Sequence, residues 1–176
     1  LPISNRASIA LAMQPAEAYA ALDAIIVRLD TTPILSPSDE AAMSAKRRTF
    51  LTGVTLRSIE PGGTLEKASG DLDLYNQEQS DFKAEMQSTD SNLAVQVSRF
   101  SHGLDRWFGQ GIHHPPYFPW RIAIILSKER QVDRERDFLS SYCDHFGDRK
   151  GSRDEMIAAR AIKKGAFDPL NKRRVT

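Results

Sequence analysis

All four histidines and the single cysteine, His102, His113, His114, Cys143 and His145, lie between positions 102 and 145 of a 176-residue chain. Imidazole nitrogen and thiolate sulfur are the usual ligands of zinc. If the apolar run 120–128 and the stripe 132–146 fold back as an antiparallel hairpin, its open end brings His113 and His114 near Cys143 and His145. Three or four of these converging would make a zinc site. Two features point the other way. Cys143 sits beside Leu139, Tyr142 and Phe146, the ordinary place for a small buried hydrophobe. Cys143 and His145 are two residues apart, which on a helix turns them away from each other, and the His113–His114 pair lacks the i, i+4 spacing of helical ligand pairs.

Other chemistry is sparser. Asp105–Arg106 beside Trp107, and Asp144–His145, are pairs that could tune a carboxylate or imidazole; the same pairs occur as surface ion pairs worth little. There is no phosphate-cradling glycine loop, dinucleotide fingerprint or Gly-x-Ser-x-Gly elbow. The glycines from Gly103 to Gly111 lack the spacing and the preceding strand that a nucleotide site needs. No catalytic residue is assigned, and the chain is read as non-catalytic.

Two surfaces could serve binding. Tyr117, Phe118, Trp120 and Arg121, set among Pro115, Pro116 and Pro119, resemble the rim of a peptide-binding groove and equally a structural corner that packs the bundle, the reading favoured for the aromatics themselves. Basic residues cluster at Lys46–Arg48, at Arg149–Lys150, and at Lys163, Lys164, Lys172, Arg173 and Arg174. The last five would contact phosphates in a nucleic-acid binder. Residues 147–176 carry a net charge of +5 and residues 60–90 one of −6, while the whole chain carries only +1. No global field therefore marks it as a nucleic-acid or membrane binder. One cysteine excludes an intramolecular disulfide. No stretch approaches the ~18 apolar residues that span a bilayer, no basic-then-apolar leader opens the sequence, and a cytoplasmic setting is the default expectation.

The elements that must position these residues read as helices. Residues 1–14 show no period and form an expected N-terminal arm. Pro15 opens a stripe of Ala18, Leu22, Ile25, Ile26 and Leu29 that stops before Pro33. Ser36–Asp39 is a capping box for a helix carrying Met43, Phe50, Leu51 and Val54, with Arg47 inside the apolar stripe. Gly53 is its expected end, and Val54–Ile59 hints at a short extended segment. Leu72, Tyr75, Gln79, Phe82 and Met86 predict a further helix. Asn92 ends the break before the clearest stripe, Leu93, Val97, Phe100, Leu104 and Trp107, which Gly109 and Gly111 terminate. A buried helix at 120–128 and a helix through Phe138–Phe146 follow, the latter opened by Asp133–Arg136, read as solvated. Ser152–Glu155 is a second capping box for a helix ending at Lys163–Gly165, and 166–176 is an expected basic tail. The fold class is all-α: an irregular bundle of six to seven short helices in one domain, 15–165, with little or no sheet.

Residues 116–146, PYFPWRIAIILSKERQVDRERDFLSSYCDHF, resemble a single tetratricopeptide-type helical hairpin. They share an aromatic entry at Trp120, an apolar first helix, a short charged turn and an aromatic-rich second helix. With Trp120 aligned, Ile124 and Arg136 stand where the family has small residues, and no second copy follows at the repeat period. The resemblance implies a helical hairpin and, by analogy, an interaction role. The leading expectation is a non-catalytic helical module that binds another protein through Tyr117, Phe118, Trp120 and Arg121. The alternatives are nucleic-acid binding through the basic C-terminal residues, and an enzyme or metal protein using His113, His114, Cys143 and His145. No cofactor is expected, with zinc the one candidate.

Overall fold

A computed structural model describes residues 15–64, Ala68 and residues 79–170. Seven helices make up these residues, with no strand among them: α1 (Pro15–Thr31), α2 (Pro37–Ser58), α3 (Gln79–Thr89), α4 (Leu93–Gln110), α5 (Tyr117–Lys128), α6 (Val132–Phe146) and α7 (Ser152–Lys163). The expected arm 1–14, the first half of the helix predicted from Leu72 and the residues 171–176 lie outside the described part.

Most ends form where local chemistry directs. At Ser36 the hydroxyl accepts from the Asp39 amide and the Asp39 carboxylate accepts from the Ser36 amide, a complete capping box. Asn92 caps α4 by accepting from the Val95 amide at 3.2 Å. Gly111 closes α4 at φ 71°, a left-handed conformation that a side chain resists. A Cβ there would also meet the Met43 carbonyl oxygen of α2 at 2.2 Å. Gly111 is thus the joint at which α2 touches the bundle.

Two expectations about elements are corrected. α2 does not stop at Gly53 but runs as helix to Ser58; a single glycine costs about 1 kcal/mol in a helix interior and does not by itself end one. Ser152 is the first residue of α7 and not its cap: the cap position belongs to Gly151, which has no side chain to bond there.

The core is one cluster. α4 packs on α1 and α5, α6 packs on α1, α5 and α7, and among the described helices α2 touches only α4 closely. Leu22 and Leu29 of α1, Phe100 and Leu104 of α4, Ile122 and Leu126 of α5, Phe138 and Leu139 of α6 and Ile157 of α7 are all buried in it. Each of these helices brings an apolar stripe at i, i+3, i+4, i+7, and burial of the stripes is the main stabilising term. α5 and α6, joined by Glu129–Gln131, form the hairpin that the resemblance implies. Beyond α7, Ala166 and Phe167 still pack against the core.

Candidate functional site

The histidines and Cys143 do not form one group: His114 and Cys143 are buried, His145 is half-buried, and His102 and His113 are exposed. His114 is 2% exposed, and its loop packs so closely on α4 that a Cβ on Gly103 would lie 2.6 Å from the His114 Cβ. Its Nε2 lies 3.2 Å from the Tyr142 hydroxyl, which donates to Asp154 Oδ1 at 3.4 Å. That direction makes Nε2 the protonated nitrogen and leaves Nδ1 as a buried acceptor without a partner. Burial holds the His114 imidazole neutral, well below its ordinary range, with Arg149 and His113 adding to the effect. Burial likewise pushes the Tyr142 hydroxyl and the Asp154 carboxyl up. Cys143 is fully buried, and His145 Nε2 donates to the Leu29 carbonyl at 2.7 Å. His113 stands apart from these, stacked on Trp107 with ring centres 4.5 Å apart. Among the described residues no three His, Cys, Asp or Glu side chains are grouped so as to hold a metal ion.

The Asp105 candidate is a surface contact. Asp105 pairs with Arg28 of α1 at 2.6 Å, with its side chain mostly exposed, and such a bond contributes little. Its neighbour Arg106 lies over the Phe50 ring.

The aromatic corner serves mainly the fold. Phe118, expected on a binding rim, is buried in the core. The Tyr117 hydroxyl donates to the Asp90 carboxylate, and Arg121 donates to the Asp90 carbonyl at 3.0 Å and pairs with its carboxylate. Burial and then Asp90 push the Tyr117 pKa up to about 12. Tyr117 and Arg121 thus tie α5 to the α3–α4 turn. Trp120 is half-buried against the core under the Arg160 guanidinium.

Among the basic candidates, Lys163 is exposed, whereas Lys164 is bonded to Glu135 Oε2 at 3.1 Å; Lys172, Arg173 and Arg174 lie outside the described residues. Glu135 corrects the reading of Asp133–Arg136 as solvated: it is fully buried, and Arg160 and Lys164 both bond to it. The signal for this was present, because Glu135 lies three, four and seven residues before Phe138, Leu139 and Tyr142, on the same face.

A concave site that sequence reasoning missed lies between α1 and the start of α6. It is a cleft of about 430 Å³ lined by Asp23, Val27, Arg130, Val132, Arg134 and Asp137, among others. One wall is rigid. Arg134 binds Asp23 as a fork (2.7 and 3.1 Å), donates to Gln131 Oε1 and lies over the Tyr19 ring. Tyr19 in turn donates to Glu129; burial and Glu129 push its pKa up to about 12. Val27 and Val132 are each more than half exposed on the cleft. On its lip stands Arg130 at φ 57°, the one positive-φ residue other than glycine among the described residues. The Gln131 amide reaches back to the Leu126 carbonyl and closes α5 in a motif whose left-handed position normally holds glycine. A side chain there costs about 1–2 kcal/mol, and the Arg130 guanidinium makes no hydrogen bond or ion pair with a described residue.

No protein-family model, curated protein or solved structure matches the chain.

Proposed function

We propose that this chain is a non-catalytic helical protein-interaction module whose α1–α6 cleft receives a short segment of its partner. The segment places an apolar side chain between Val27 and Val132 and a carboxylate on Arg130. The observation that carries the reading is Arg130: a strained backbone position, occupied where glycine would be relaxed, holds an unpaired guanidinium at the mouth of a mostly polar cleft that also exposes Val27 and Val132. Strain retained at a surface site is a pointer to function. The rigid Asp23–Arg134 wall lowers the ordering cost of binding.

Selection of random peptides displayed on phage against the whole chain tests the proposal. Enriched peptides should pair an acidic residue with an aliphatic or aromatic one, and Arg130→Gly or Val132→Asp should abolish their binding. Peptides that bind both variants as well as the unaltered chain would place the surface elsewhere. The nucleic-acid alternative has a narrower base, since Lys164 is engaged by Glu135. A steep fall of oligonucleotide affinity with salt that depends on Lys163 would bring it forward.

A further inference from the structure

We propose a second, independent site: Arg47, Arg149 and His113 form a receptor for a phosphate dianion at the end of α6 opposite the cleft. Three elements converge there. Arg149, three residues after α6, lays its guanidinium 4.1 Å from the Phe146 ring centre and 4.8 Å from that of Trp107. On Trp107 also stacks the ring of His113, an exposed residue. From α2, Arg47 enters beside the Gly111 joint, its Cβ 3.5 Å from where a Gly111 side chain would begin.

The positive charge of this group is only partly offset, by carboxylates that do not bond to it. Neither guanidinium makes a hydrogen bond or ion pair with a described residue, and Arg149 Nη2 is buried without a hydrogen-bond partner. Asp154, Glu40 and Tyr142 lie within electrostatic reach of Arg149, yet no carboxylate comes within ion-pair distance of it. Burial lowers the Arg149 pKa below its ordinary value, so this cation is held at some cost. His113 feels the excess: burial first, then Arg149 and Arg47, bring its pKa down to about 4. An arginine stacked between two rings is held with its fork in a fixed plane, the arrangement suited to bidentate contact with phosphate. A second arginine and an accessible imidazole supply further donors. A phosphate dianion is favoured over a carboxylate because it brings two charges and several acceptor oxygens to two arginines and the neutral His113 imidazole, more donors than one carboxylate can engage.

The test uses inorganic phosphate on the full chain, followed through the His113 imidazole by nuclear magnetic resonance, with His113→Gln for assignment. At about pH 8, where phosphate is chiefly the dianion, it should bind saturably, shift the His113 ring resonances, and bind at least tenfold more weakly to Arg47→Ala. Arg47 is on the outer helix, so that variant keeps the bundle; Arg149→Lys, which retains the charge without the fork, should also weaken binding. The proposal is overturned if phosphate moves His113 no more than sodium chloride at equal ionic strength. It is equally overturned if acetate binds as tightly, or if Arg47→Ala binds phosphate unchanged. None of these outcomes depends on the α1–α6 cleft.

Discussion

Glu135 is a charge carried into an apolar stripe, and Arg160 and Lys164 bring their own charges to it from α7. Removing one partner of such a group leaves the others without counter-charge. Glu135→Ala should therefore lower unfolding free energy by about 3 kcal/mol in urea denaturation, near the bottom of the range for buried pairs, because the two cations retain access to water. Arg130→Gly should act in the opposite direction: relief of the left-handed strain stabilises the chain by about 1 kcal/mol, while peptide binding is lost. A residue that stabilises when removed and abolishes binding is one kept for its contact. The histidines set a pH window. His113 falls from an ordinary 6.5 to about 4 on folding, and His114 moves in the same direction. The unfolded chain then binds more protons between these values, so stability is full above about pH 6.5 and falls as the pH drops toward 4. Asp154, raised by burial, has the opposite sign and offsets part of the loss at the acid end. Melting temperature measured from pH 7 to 4.5 should fall, and His113→Gln should flatten the slope.

Helix ends follow from few residues, and here the sequence was most legible. Asn92, Gly111 and the Ser36–Asp39 box stand at the ends they mark, because capping is a contact between neighbours in the chain. Ser36→Ala should cost α2 about 1 kcal/mol, read as loss of helical signal from that element by circular dichroism. Where one signal had two meanings, the reading failed. Gly53 is a helix interior and Ser152 a first helical residue, since neither position carries the partner that would make it an end. Gly111→Ala should be costlier than either, because it combines left-handed strain with a collision against the Met43 carbonyl. Phe118 and Glu135 were misassigned for a different reason. An aromatic among prolines and a carboxylate among charges look exposed in their local context, and only their register on the helix reveals the buried side.

For the whole molecule, the all-α class was legible because stripes at helical spacing bury themselves against one another in any arrangement, whereas the cleft and the arginine–histidine group were not. Both are made by residues from distant helices, α1 with α6 and α2 with the ends of α4 and α6, and nothing in the chain order announces those pairings. The two tryptophans measure the difference between core and rim. Trp107 is buried between α4, His113 and Arg149, and its truncation to Ala should cost about 3–5 kcal/mol in a thermal or urea melt. Trp120 is half-buried, and Trp120→Ala should cost about 1–3 kcal/mol. The slender attachment of α2 has a consequence in time. A helix of 22 residues in which Met43 and Val54 are the buried ones among the described side chains can swing away while exposing only the margin of the core beside it. Its amides should then exchange with deuterium through a local opening insensitive to low urea, while those of α4, α5 and α6 exchange only when the entire chain unfolds. The surface beneath α2, including the Trp107 neighbourhood, would thus be uncovered intermittently in an otherwise native molecule.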